Sequence, residues 1–232
     1  MKKYVNLFVF VFMIGACLSQ GRAQTKSAVS YKNPVVDIAM PDPTVIKAAD
    51  GYFYVYATES TRNVPIMKSK DLVEWTYCNT AFTNKTRPRF EPKAGIWAPD
   101  INYINGKYVL YYAMSVWGGE QTCGIGVATA NSPQGPFTDH GKMLRSNEIG
   151  VQNSIDPSLL QYEGRNYLVW GSFRGIYVIE LTTDGLSIMP GAKKKRIAGT
   201  AFEAVYIHKH DDYYYMFASI GSCCQGVKST YK

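Results

Sequence analysis

Apolar and polar positions recur in short blocks along this chain, and four blocks share one order. Each begins with a carboxylate near a strand start, passes a turn containing Gly or Asp, and ends in a Tyr-rich strand. The first runs Pro41-Asp42-Pro43-Thr44-Val45, then Asp50-Gly51, then residues 52–57. The second is Trp97-Ala98-Pro99-Asp100-Ile101, Asn105-Gly106 and residues 108–113. The third is Ile155-Asp156-Pro157-Ser158-Leu159, Glu163-Gly164 and residues 167–171. The fourth is Phe202-Glu203-Ala204-Val205-Tyr206, Asp211-Asp212 and residues 213–218.

Two markers give nearly one period. The carboxylates at 42, 100, 156 and 203 are 58, 56 and 47 positions apart. The aromatic strands end at 57, 113, 171 and 218, with spacings of 56, 58 and 47. Further strands are predicted over 65–69, 124–129 and 176–181, and fourth strands over 75–80 and 137–144. Asn-Gly and Asp-Gly between apolar runs are strong two-residue hairpin signals. No amphipathic helix of ten or more residues is predicted after residue 23. A repeat near 50 residues with four antiparallel strands predicts an all-β chain of β-propeller blades. A sandwich would not require the period. In a propeller the first strand of each blade lines the central channel, so four carboxylates distant in sequence would meet around one axis.

Composition fits this picture. Of 232 residues, 46% are hydrophobic, 18 are Tyr, 20 are Gly and 11 are Pro, which suits short strands and many turns. Lys2 and Lys3 precede an apolar run from Val5 to Met13, and Gly21-Arg22-Ala23 offers small residues before a cleavage point. Residues 1–23 therefore read as an export signal, too short to span a membrane comfortably. Ile14-Gly15-Ala16-Cys17 keeps open a lipoprotein anchor through Cys17. The expected domains are 1–23 signal, 24–39 lead-in and 40–232 propeller. Removing three basic groups in 1–23 lowers the net charge from +7 to +4, which suggests no nucleic-acid partner. Lys193-Lys194-Lys195-Arg196 reads as a solvated turn. Cys78, Cys123, Cys223 and Cys224 permit disulfides in an exported protein, with connectivity open. Adjacent Cys223 and Cys224 could form a vicinal bridge or remain free thiols. Gly124-Ile125-Gly126 lacks the third Gly of a dinucleotide loop.

Carboxylates gathered around one pocket raise one another's proton affinity. One can then serve as an acid while another stays ionised as a base, the pairing that glycoside hydrolysis needs. Calcium binding is the rival chemistry of such oxygens, and turn capping beside Pro is the plainer structural alternative. Sugar rings pack on aromatic faces, which makes Trp97, Trp117, Trp170, Phe173 and Tyr206 candidate substrate contacts, Trp97 foremost. Asp100 and Asn153 complete the candidate substrate-binding set.

With those residues in view, the chain resembles the glycoside hydrolase family 43 propellers, and most closely their arabinanase branch. The matching pieces include Pro41-Asp42-Pro43, Ser69-Lys70-Asp71-Leu72-Val73-Glu74-Trp75, Trp97-Ala98-Pro99-Asp100-Ile101, Ser154-Ile155-Asp156-Pro157-Ser158, Gly171-Ser172-Phe173 and Cys223-Cys224-Gln225-Gly226-Val227-Lys228-Ser229-Thr230-Tyr231-Lys232. The resemblance implies a five-bladed propeller that hydrolyses α-1,5-linked L-arabinan with inversion. It implies Asp42 as general base, Glu203 as general acid and Asp156 as the carboxylate that tunes the acid. An inverting pair is expected about 6.5–9.5 Å apart. Exo-acting arabinofuranosidase or β-xylosidase activity, or a non-catalytic carbohydrate-binding propeller, are the alternatives. Pro41 stands where the branch usually has His, and Val205 where Pro is usual. At ~50–58 residues per blade the sequence is expected to hold about four blades, truncated toward the C-terminus. An axial calcium is expected only with residues beyond this sequence; no metal or cofactor is expected from the residues present. The partner expected is an arabinan poly- or oligosaccharide, with no membrane span and a monomeric state.

Overall fold

The computed structural model describes residues 30–221 and the strand at 230–231. The export signal, Cys17, and the segment containing Cys223 and Cys224 lie outside the described residues. Four antiparallel sheets follow one another in chain order. The first contains β1 (Thr44–Lys47), β2 (Phe53–Tyr56), β3 (Pro65–Ser69) and β4 (Thr76–Thr80). The second contains β5 (Gly95–Ile104), β6 (Lys107–Ser115), β7 (Gly124–Ala130) and β8 (Thr138–Arg145). A single helical turn, α1 (Ser146–Ile149), leads on to the third, with β9 (Ser158–Tyr162), β10 (Arg165–Trp170), β11 (Ile176–Leu181) and β12 (Lys195–Ala198). The fourth contains β13 (Phe202–His210), β14 (Tyr213–Ile220) and β15 (Thr230–Tyr231). Each sheet is an up-and-down meander, as propeller blades are. Among the described residues no helix is long and apolar enough to cross a membrane.

The second blade shows why these residues make blades. Alternate side chains of β6 point to opposite faces. Tyr108, Leu110, Tyr112 and Met114 enter one core with Tyr54, Tyr56, Ile66 and Phe82 of the first blade. Val109 and Tyr111 enter a second core with Leu159, Leu168 and Trp170 of the third. Both faces are buried beyond Lys107, so β6 is a continuous run of apolar and Tyr side chains from Tyr108 to Met114. Its phenols need partners in that interior. Tyr111 Oη donates to the Gly185 carbonyl at 2.8 Å, and Tyr112 Oη to Asp139 Oδ1. Gly126 lets Tyr112 pass, because a Cβ there would lie 2.3 Å from its hydroxyl.

Between the third and fourth blades, Val169 and Ile176 pack on Val205 and Ala218. The opposite face of the fourth blade is more open, with Tyr213, Tyr215 and Phe217 exposed.

Two expectations are corrected. Lys195 and Arg196 begin β12, an edge strand, rather than forming a turn. Trp170 is fully buried and donates from Nε1 to Ser154 Oγ at 3.1 Å, so it is a core residue and no ligand contact.

Candidate active site

The inner edge of every blade carries the same irregularity. In the second blade Trp97 pairs with Ala113 and Asp100 with Tyr111, so two residues stand opposite one. In the fourth, Glu203 pairs with Ser219 and Tyr206 with Phe217. The first and third repeat it just ahead of their strands. Thr58 N–H donates to the Pro41 carbonyl while Thr44 pairs with Tyr56, and Gly171 N–H donates to the Ile155 carbonyl while Ser158 pairs with Val169. The first of the two residues that oppose one has a left-handed backbone each time. These residues are Asp42 (φ 49°), Ala98 (39°), Asp156 (57°) and Ala204 (50°). Such bulges re-aim side chains beside active sites. Left-handed backbone costs a non-glycine residue roughly 1–2 kcal/mol, and Asp and Asn bear it best. Strain at one repeated position is what a functional rim carries.

This register corrects the repeat read from the sequence. Asp42 and Asp156 are equivalent. Asp100 lies two residues further along its strand than Ala98, and Glu203 lies one residue before Ala204. Glu203 therefore shares its position with Pro41, Trp97 and Ile155.

The structure brings Asp42, Asp156 and Glu203 into mutual electrostatic reach. Asp156 lies partly open to solvent but is surrounded by protein. Burial first, then the negative charges of Glu203 and Asp42, push its carboxyl up to about 8, against the Ala204 N–H that donates to Oδ2 at 3.2 Å. Glu203 is half-buried. Burial raises its carboxyl, the Ser172 hydroxyl at 3.1 Å lowers it, and Asp42 raises it again. At neutral pH the cluster therefore retains a proton. Asp42 is exposed at the mouth and accepts a hydrogen bond from Thr58 Oγ1. Thr58 Oγ1 also accepts the Ala98 N–H at 2.7 Å, so one hydroxyl ties the first blade to the second. Behind it, Glu59 accepts from the buried Arg87 guanidinium and from the N–H groups of Asn63 and Ile96. The arrangement holds an exposed carboxylate and a proton-retaining pair, the groups that acid–base chemistry on a glycosidic bond uses.

Other candidates divide. Trp97 is half-buried, and Trp117, 79% exposed, leans on it with ring centroids 5.6 Å apart. Asn153 donates from its side chain to the Ser172 carbonyl at 3.0 Å and from its backbone to the Glu120 carbonyl at 2.7 Å. Phe173 is half-buried, and its N–H donates to the Phe202 carbonyl at 2.9 Å. Tyr206 is half-exposed and stacks on His208. Asp100 is not brought to the mouth. It is 6% exposed and wholly engaged inside the protein, with burial pushing its carboxyl up to about 6. Thr58, Ser172 and the bidentate Arg174–Glu120 pair were not legible as site residues; that ion pair ties the loop after β6 to the loop after β10. Among the described residues no three His, Cys, Asp or Glu side chains converge on a point that could hold a metal ion.

Residues 31–232 match the family model described as Glycosyl hydrolases family 43. The chain belongs to this family. The family-43 chain is 37% identical over 205 residues to the extracellular endo-α-(1→5)-L-arabinanase 1 of Bacillus subtilis, covering 82% of this chain and 62% of that relative. It spans about three fifths of the length of the curated relatives it matches. A Cellvibrio cellulosa α-L-arabinanase complexed with arabinohexaose superposes with a TM-score of 0.73 at 29% identity, covering 84% of this chain and 69% of that one. An exo-1,5-α-L-arabinanase from a bovine ruminal metagenomic library gives 0.72 at 31% identity, covering 87% and 71%. The four sheets of the family-43 chain are thus blades of a five-bladed propeller fold.

Proposed function

We propose that this chain carries the catalytic centre of an exported, inverting glycoside hydrolase that cleaves α-1,5-linked L-arabinan. The observation that carries the reading is the convergence of Asp42, Asp156 and Glu203 at one open mouth with a proton retained among them. Asp42, exposed at the mouth, takes a proton from water, and the oxygen of that water attacks the anomeric carbon. Glu203 gives its proton to the glycosidic oxygen as the carbon–oxygen bond breaks on the opposite face. Asp156 shares with Glu203 the proton that the cluster retains, and the repulsion between their carboxylates keeps that proton within the pair until transfer. Trp97 and Trp117 offer apolar faces to the sugar rings, and Asn153, Phe173 and Tyr206 stand at the same end of the blades.

Arabinan as substrate is supported by the relatives, which are named for endo-acting α-1,5-arabinan cleavage. Export is supported by the basic-then-apolar start of the sequence and by the extracellular Bacillus subtilis relative. We propose a soluble monomer. An exo-acting enzyme is the second reading, favoured by the exo-1,5-α-L-arabinanase likeness. A binding propeller without catalysis is disfavoured by retention of all three carboxylates.

Product analysis on linear 1,5-arabinan and on aryl arabinofuranosides tests the proposal. A ladder of arabino-oligosaccharides supports endo action, and arabinose alone supports exo action. Failure of the intact protein to hydrolyse either substrate overturns the reading.

A further inference from the structure

Asp100 is the one carboxylate of the inner rim that faces no solvent, and its two oxygens serve three blades. Oδ1 accepts from Thr44 Oγ1 of β1 at 3.4 Å. Oδ2 accepts from Asn102 Nδ2, within β5, at 2.7 Å, and from the Leu159 N–H of β9 at 2.7 Å. Thr44 is itself held, since Ile101 N–H donates to its hydroxyl at 3.3 Å. No cation pairs with Asp100 among the described residues, so all its stabilisation comes from these oriented donors.

The donors are placed in a telling way. Thr44 follows Asp42 by two residues, with Pro43 between them. Leu159 follows Asp156 by three, with Pro157 between. Proline fixes φ, so each link from tied residue to carboxylate is short and stiff. We infer that Asp100 is a positioning residue that locks the inner strands of the first and third blades to the second, and thereby fixes where Asp42 and Asp156 stand relative to each other. It touches no substrate. Its effect is on the geometry of attack, and a shift of about 1 Å in such geometry can cost about 100-fold in rate. The inference rests on the proposed roles of Asp42 and Asp156.

The test uses the intact protein with Asp100→Ala, Asp100→Asn and Thr44→Val, and Asp42→Asn and Asp156→Asn alongside. Asp100→Ala removes every tie. Asp100→Asn keeps an oxygen for Leu159 and Asn102, and its amide can donate to Thr44. Thr44→Val cuts the first-blade tie at nearly constant volume and guards against Asp100→Ala failing to fold.

Expected are a fall in kcat of about 100-fold for Asp100→Ala and about tenfold for Thr44→Val, with KM within about twofold. Asp100→Asn should restore kcat to within about tenfold of the parent. Folded Thr44→Val and Asp100→Ala with parental kcat overturn the inference. So does a loss that tracks lowered Tm and vanishes on cooling. If these two keep kcat while Asp42→Asn and Asp156→Asn lose it, the inference on Asp100 falls alone. If Asp42→Asn and Asp156→Asn also keep it, the proposed catalytic reading falls with it.

Discussion

The Ser172 hydroxyl donates a 3.1 Å hydrogen bond to Glu203 Oε2, from the third blade to the fourth. This bond favours the ionised carboxylate, against the burial and the Asp42 charge that favour the protonated one. Ser172→Ala should therefore raise the Glu203 carboxyl further. An acid works while protonated, so the alkaline limb of the kcat/KM profile should move to higher pH. An unmoved alkaline limb in the folded variant would break the link between this bond and the acid.

Asp156 makes the fold less stable as pH rises. Its folded carboxyl, pushed up to about 8, binds a proton that the unfolded chain releases near 4. Stability from this group is full below about pH 4 and is lost as pH rises toward 8. Asp156→Asn does not titrate, and Asn tolerates the left-handed backbone at this position. Its Tm relative to the parent should climb between pH 4 and pH 8 while hydrolysis collapses. A constant Tm difference across that window would contradict the coupling.

Glu59 works in the opposite sense. Burial opposes its charge, but Arg87 and the N–H groups of Asn63 and Ile96 hold its carboxyl below the usual range. Its contribution is present above the unfolded value near 4.3 and is lost as pH falls through the lower folded one. Arg87→Leu leaves this buried carboxylate without its cation and should cost about 3–5 kcal/mol, roughly 10 °C in Tm. The deficit should shrink below about pH 4 as Glu59 takes up a proton. Thermal melts of both proteins at pH 3.5 and pH 7 give the comparison, and an equal deficit at both would refute it.

The blades were legible because both faces of strands such as β6 are buried, which leaves continuous apolar runs between Asn-Gly and Asp-Gly turns. Asp42, Asp156 and Glu203 were legible as a cluster for the same reason. The bulge was not, because spacing alone does not say which residue is doubled against its partner strand. Asp100 was therefore aligned with Asp42, although it lies two residues deeper and inside the protein. β12 was missed because an edge strand needs no buried apolar face and tolerates Lys and Arg. Thr58 left no signal, since a single hydroxyl after a strand is common, and Ser172 stood out only within Gly171-Ser172-Phe173, which gave it no role.

Trp117 stands 79% exposed against Trp97 with little to hold in the fold. Trp117→Ala should leave Tm within about 2 °C of the parent, because an exposed side chain contributes little to stability. Its KM for arabino-oligosaccharides should rise about tenfold, equivalent to about 1.4 kcal/mol of lost contact, with kcat unchanged. Unchanged KM would remove Trp117 from the substrate path.

The central claim is that Glu203 protonates the leaving oxygen. Turnover of linear 1,5-arabinan by Glu203→Gln in the intact protein, with oligosaccharide binding measured on the same sample, tests it most directly. Gln keeps the shape and a partner for Ser172 but has no acidic proton to give. The account predicts a fall in kcat of about 10²–10⁴-fold with binding retained. A folded Glu203→Gln that binds and hydrolyses arabinan at the parental rate would contradict it.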